Sequence, residues 1–159
     1  MIVLGLDPGT RVLGYGLVRW DASPCCLAAG AIEATKADAP GARVREIGTE
    51  LEKLLREFAV GWRIDRVGIE SGFMGGFSAK SDLMLANARG VALFVAAREL
   101  SMEPVFVAPS TVKKAVTGSG KAEKPAVQTA VKRILGMHTR PGSDAADALA
   151  VAIAAAGVA

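Results

Sequence analysis

The alternation of apolar and polar positions sets out a chain of short strands followed by longer helices. Ile2, Val3, Leu4 and Leu6 form a short apolar run that stops at an acid, Asp7, with Pro8-Gly9 as a turn signal behind it. Such a run predicts a strand buried on both faces, as in the middle of a parallel or mixed sheet. A second strand, Val12 to Trp20, follows a turn so short that only an antiparallel hairpin fits. Cys25 to Ala34 predicts a third strand, weakened by Gly30, so the chain opens as a three-stranded meander. After a loop at Ala37 to Gly41, apolar residues at Val44, Ile47, Leu51, Leu54, Leu55 and Phe58 recur with the helical period. Charges lie opposite, which predicts an amphipathic helix over Arg43 to Val60 covering the sheet.

Trp62 to Ile69 returns to the sheet and again ends at an acid, Glu70. The glycine-rich stretch Phe73 to Ser78 reads as a loop, and Ser81 as the N-cap of a helix that runs to Leu100. That helix is apolar almost all round, which predicts burial on more than one side. In a domain this small, a second subunit is one source of the second cover. Pro104 to Ala108 is a short strand; short helices follow at Pro109 to Val116 and Pro125 to Leu135. An alanine-rich helix from Ser143, its expected N-cap, to about Ala156 ends the order. With no repeat or linker, the expectation is one domain over residues 1–159.

Composition narrows the class. At 51% apolar residues the chain is a folded protein rather than a solvated tail. The apolar stretches at Val91 to Ala97 and over residues 145–159 are too short to span a bilayer, and Asp147 interrupts the second. No signal peptide is visible. Cys25 and Cys26 point to opposite faces of a strand and suit neither a disulfide nor a metal clip. A cytoplasmic, reduced protein is expected. The net charge of +3 is unevenly placed: Pro104 to Ser143 holds seven basic residues against one acid, Glu123. A stretch this basic within one domain favours a polyanionic partner as much as a solvated helix face.

Four acids then draw attention. Alone, Asp7 reads as an ordinary turn residue. Glu70 repeats its placement at a strand end, and acids on adjacent strand ends sit about 5 Å apart. Asp144 and Asp147 lie three apart at the start of the last helix, hence on one face. Asp144 suits the helix dipole; Asp147, a turn further in and followed by apolar residues, needs a partner. Clustered together, Asp7, Glu70, Asp144 and Asp147 would repel and titrate upward unless Mg²⁺ or Mn²⁺ neutralised them. The absence of Cys and His from the set favours a hard, oxygen-preferring ion over zinc. Two such ions about 3.5–4 Å apart can orient a water and stabilise the leaving oxygen of a phosphodiester. His138, the single histidine, reads as a loop residue outside the cluster.

With these residues in view the chain resembles the RuvC Holliday-junction resolvases. The likeness is carried by G-L-D-P-G-T-R-V-L-G-Y-G at 5–16, I-E at 69–70, N-A-R-G-V-A at 87–92 and D-A-A-D-A-L-A at 144–150. It runs in order over essentially the whole chain. It implies an α/β, ribonuclease H-like fold: a five-stranded mixed sheet, its first three strands antiparallel, flanked by helices. It implies a homodimer that nicks two opposed strands of a four-way DNA junction, in recombination and repair, and leaves ligatable 5′-phosphate ends. It also implies a junction branch-migration complex as a partner. By residue match, Asp7, Glu70, Asp144 and Asp147 become the catalytic, metal-binding set. Phe73 matches an aromatic that inserts at opened base pairs, where stacking is worth about 1–3 kcal/mol per base. Lys113 and Lys124 match DNA-contacting lysines, and residues 81–100 match the dimer helix. Lys121 is a DNA-binding candidate from charge alone. The stretch between Phe73 and Leu83, including Phe77, departs from the family pattern and is one residue longer.

Three rivals are weighed on the same residues. G-x-D-x-G before a hairpin also opens actin-like and sugar-kinase ATPase domains, but 159 residues leave no room for their second lobe. A non-catalytic nucleic-acid module gives the four acids no role, and their charge opposes DNA binding. A ribonuclease H-like nuclease acting on RNA or a hybrid is permitted by the fold alone.

Overall fold

The structure is a computed structural model that describes residues 1–34, 39–72 and 78–158. Five strands form one sheet in the order β3-β2-β1-β4-β5. These are β1 (Ile2–Pro8), β2 (Val12–Arg19), β3 (Cys25–Glu33), β4 (Arg66–Glu70) and β5 (Val105–Val107). The β1–β2 and β2–β3 pairs are antiparallel, and β4 and β5 join in parallel. The result is the ribonuclease H-like mixed sheet expected from the sequence.

Side-chain alternation along β1 divides the interior into two cores. Val3 faces one core, with Val112, Val131 and the residues of the last helix. Leu4 and Leu6 face the other, with Ile47, Leu51, Leu55 and Ala92. Helices α1 (Pro40–Gly61) and α2 (Ala79–Leu100) cover the second face. Helices α3 (Pro109–Thr117), α4 (Lys124–Ile134) and α5 (Ser143–Ala156) cover the first. A run apolar at every position is what a strand covered on both sides requires.

The contact between α5 and the sheet is made by the smallest residues available. A Cβ added at Gly5 would stand 2.1 Å from the Ala148 carbonyl oxygen and 2.4 Å from the Ala152 nitrogen. One at Gly14 would meet the Asp144 carbonyl oxygen at 2.3 Å, and one at Gly16 the Leu149 nitrogen at 2.8 Å. At Gly68 it would lie 2.6 Å from the Ala155 methyl. The helix therefore rests on the sheet almost backbone to backbone. Its far end is tied down by Arg66, whose guanidinium donates to the carbonyl oxygens of Ala155 (2.8 Å) and Val158.

Several boundaries differ from expectation. α1 begins at Pro40, inside the stretch read as a loop, because proline's fixed φ suits the first helical position. The N-cap of α2 is Ser78, whose hydroxyl accepts from the Ser81 N–H, so Ser81 lies in the first turn. Likewise Gly142, not Ser143, caps α5. β4 is confined to Arg66–Glu70 rather than starting at Trp62. α2 is also less covered than its apolarity predicts: Ala88, Ala92, Val95 and Ala96 are buried, while Leu83 and Phe94 are 67% and 60% exposed. Among the described residues, no helix is long and apolar enough to cross a membrane.

The close helix–sheet contact makes a stability prediction. Gly5→Ala is expected to lose about 2–3 kcal/mol in urea unfolding, since a rigid backbone receives the new methyl. Gly41→Ala, whose Cβ would meet nothing within 4 Å, should stay within about 1 kcal/mol of the parent. Equal effects at the two positions would overturn this account of the contact.

Candidate active site

Strand period and register bring the two strand-end acids to the same place. β1 and β4 run parallel with Leu6 opposite Ile69, so Asp7 and Glu70 are the next residues along on neighbouring strands. Val3 and Gly5 on β1, and Gly68 on β4, face α5. Two residues further on, by the same alternation, Asp7 and Glu70 face that way too. Across the hairpin Asp7 pairs with Gly14, and Gly14 is the glycine against which the Asp144 carbonyl lies. The first turn of α5 is thus set down beside Asp7, and Asp147 follows one turn later.

The electrostatics record the convergence. The Asp7 carboxyl is pushed up from 3.8 to about 6, first by burial and then by the charge of Asp147; Lys124 opposes the rise and Asp144 adds to it. The Glu70 carboxyl is pushed up from 4.5 to about 7, again first by burial, then by Asp7 and Asp147, against Lys113 and Lys124. At about 1.4 kcal/mol per pKa unit, ionising either carboxyl costs on the order of 3 kcal/mol more than in water. A partly exposed lysine contributes about 1 kcal/mol or less. The penalty is what remains after Lys124 and Lys113 have already lowered both carboxyls.

Among the described residues, no three acid, histidine or cysteine side chains are already gathered into a cage for an ion. One oxygen of the set has a different partner: Lys124 Nζ donates to Asp147 Oδ2 at 2.9 Å, and that bond pushes the ammonium above its ordinary range. Lys113, on α3, is half-buried and its charge reaches Glu70. Lys121 is exposed between α3 and α4, its backbone N–H donating to Ser119 Oγ, and no ion pair holds it among the described residues. His138 is exposed in the loop before α5. Phe73 and Phe77 lie outside the described residues.

Two features escaped the sequence reading. Lys124 matches a DNA-contacting position, yet its structural partner is an acid of the cluster 23 residues away. Arg89, inside the N-A-R-G stretch, closes on the backbone just after Glu70. A Cβ at Gly72 would stand 2.0 Å from Arg89 Nη2, and the left-handed backbone there (φ +63°) itself favours glycine. The signal available was the paired occurrence of S-G after Glu70 and R-G in α2.

The donor set suits a hard divalent cation. It consists of carboxylates, two of them half-buried and repelling each other, an arrangement that an oxygen-preferring divalent ion relieves.

Comparison with known proteins agrees with the fold. The family model described as crossover junction endodeoxyribonuclease RuvC matches residues 3–155. The crossover junction endodeoxyribonuclease RuvC of Sodalis glossinidius is 40% identical over 153 residues, 96% of this chain and 84% of that protein. That of Mannheimia succiniciproducens is 41% identical over 154 residues, 96% and 73% of the two chains. Among solved structures, Thermus thermophilus RuvC in complex with Holliday junction substrate superposes with a TM-score of 0.84 at 29% identity, covering 97% of this chain and 92% of that one.

A pH dependence follows from the raised carboxyls. Both titrate higher folded (about 6 and 7) than unfolded (3.8 and 4.5), so folding favours their protonated forms. Their contribution is whole below about pH 4 and is lost as pH climbs through 6 and 7. In chelator, the chain should unfold at lower urea at pH 8 than at pH 5. Asp7→Asn removes one carboxylate and relieves Glu70, so the gap should narrow; an unchanged gap would show that these acids are not coupled.

Proposed function

We propose the function of this chain from one premise: it belongs to the crossover junction endodeoxyribonuclease RuvC family. Membership makes it an endodeoxyribonuclease of a metal-dependent family. In our reading it resolves four-way DNA junctions by paired nicks in opposed strands, during recombination and repair, and leaves 5′-phosphate ends that can be ligated. What supports this reading is the strand register that sets Asp7 beside Glu70, with the first turn of α5 against Gly14 and two carboxyls raised to about 6 and about 7.

Asp7, Glu70, Asp144 and Asp147 are the residues that would hold Mg²⁺ or Mn²⁺, two ions per site. When bound, such ions lower the pKa of water, polarise the phosphate and offset the charge of the leaving oxygen. The chain's own part is positional. β1 and β4 fix Asp7 and Glu70 on a sheet covered on both faces, and α5 sets Asp144 and Asp147 against them with no adjustable side chain between. A rigid support of this kind keeps a donor set within the narrow tolerance that in-line attack on a phosphate requires. Lys113, Lys121 and Lys124 supply cationic charge for the DNA backbone, and Phe73 a stacking surface for an unpaired base.

The assembly proposed is a homodimer through α2. Leu83, Asn87, Gly90 and Phe94 recur every three or four residues on the exposed side of that helix, and two large apolar side chains in water there favour cover by a second copy. A single domain over residues 1–159, action in the cytoplasm, and delivery by a junction branch-migration complex complete the proposal.

The decisive experiment is cleavage of a synthetic four-way junction beside linear duplex and RNA–DNA hybrid, with Mg²⁺, Mn²⁺ or chelator. Paired nicks in the junction alone, lost in chelator, are expected. Asp7→Asn and Asp144→Asn should lower the rate at least about 10³-fold while junction binding survives, since each removes a metal ligand and no DNA contact. A near wild-type rate in Asp7→Asn would end the metal-site reading, and equal cutting of the hybrid would end the substrate assignment. Separately, Phe94→Glu should convert a dimer to a monomer in sedimentation at micromolar concentration; a parent chain already monomeric would refute the α2 interface.

A further inference from the structure

Lys124 occupies a position that disfavours a cation. It is the first residue of α4, where the aligned peptide dipoles leave partial positive charge, and no acid accompanies it in that turn. Its partner comes from another helix: the ammonium donates to Asp147 Oδ2 at 2.9 Å. The pair is lopsided. Asp147 keeps 17% of its side-chain exposure and Lys124 keeps 69%, so a fixed carboxylate is met by an ammonium that reaches in from solvent. The same charge acts on Asp7, Glu70 and Asp144 as well, which makes it common to all four acids.

We propose that Lys124 is an exchangeable counter-cation: it neutralises Asp147 while the acids hold no metal ion, and turns to the DNA backbone when that carboxylate is given over to a divalent cation. The proposal rests on the reading of the four acids as ligands. Its physics is competition for one oxygen. A site charged with a divalent ion repels an ammonium a few ångströms away, and the repulsion is stronger than between two surface lysines because Asp7 and Glu70 are half-buried. Lysine is suited to the exchange, being a compact charge on a flexible stem with no fixed fork to break. Nothing in the core moves with it, since the side chain lies outside. Metal binding and phosphate binding then strengthen each other through one residue, each by the same factor.

The test compares Lys124→Gln with the parent chain on a labelled, nuclease-resistant four-way junction, measuring affinity against salt in Mg²⁺ and in EDTA. A phosphate contact present only in the charged site should lower the variant's salt slope by about 0.9 in Mg²⁺ and leave the two slopes equal in EDTA. A slope lowered in both conditions would make Lys124 a plain DNA contact, and equal slopes in both would make it a surface ion pair; either overturns the proposal. A second readout needs no DNA. In calorimetric titration with Mn²⁺, Lys124→Gln should bind about two- to fivefold more tightly, the range of a partly exposed ion pair removed from competition. Asp147→Asn is the partner control. If it weakens Mn²⁺ binding while Lys124→Gln leaves the affinity unchanged, the exchange fails and the ligand set stands. If Asp147→Asn leaves Mn²⁺ affinity unchanged, the ligand set fails and the exchange with it.

Discussion

The architecture depends on how closely α5 can approach the sheet. Gly5, Gly14, Gly16 and Gly68 offer no side chain to the helix, and alanines answer them from the other side. Burial of larger side chains would stabilise the layer more per residue, at roughly 25 cal/mol per Å² of apolar surface. Here that gain is given up for proximity. The first turn of α5 comes down on the Asp7–Gly14 pair, and acids four strands and four helices apart in the chain become neighbours. Arg66 holds the other end of the helix through its last carbonyls, so α5 is fixed at both ends by contacts of opposite kind, steric at one and hydrogen-bonded at the other.

The proximity has an electrostatic consequence that the fold must tolerate. Asp7 and Glu70 are half-buried beside one another and beside Asp147, and each carboxyl resists ionisation by on the order of 3 kcal/mol. That cost is what is left after Lys124 and Lys113 have acted. The chain thus carries, at one end of its sheet, a concentration of unrelieved negative charge next to its most basic segment. Attraction between the two is local and modest. The acids stay on rigid strands and a helix, whereas Lys124 reaches them from an exposed position.

How far the residues themselves disclosed this can be followed element by element. β1 was legible because an apolar run ending at Asp7-Pro8-Gly9 has few other readings. Glu70 was legible for the same reason, and the 144–147 spacing placed two carboxylates on one helical face without any tertiary information. Helix starts were less legible. Ser78 and Ser81 are chemically equal candidates for a cap, and the chain direction into the helix decides between them; Pro40-Gly41 reads equally as turn or first turn. The Lys124–Asp147 bond was not legible at all, because it joins two helices whose relative placement is set by α5 on the sheet. The exposure of Leu83 and Phe94 was hidden for a related reason: sequence apolarity reports what a helix would bury, not what one chain has available to cover it.

Arg89 against Gly72 shows what kind of part this site is. The residue that lies against the turn behind Glu70 comes from α2, a helix of the opposite layer, and it meets a residue 72 that lacks a side chain and takes a left-handed backbone. Four carboxylates copied onto another α/β sheet would bring neither that brace nor the glycine floor beneath α5. The transferable unit is therefore a three-layer sandwich of backbone, in which the acids are the last and least difficult component to supply.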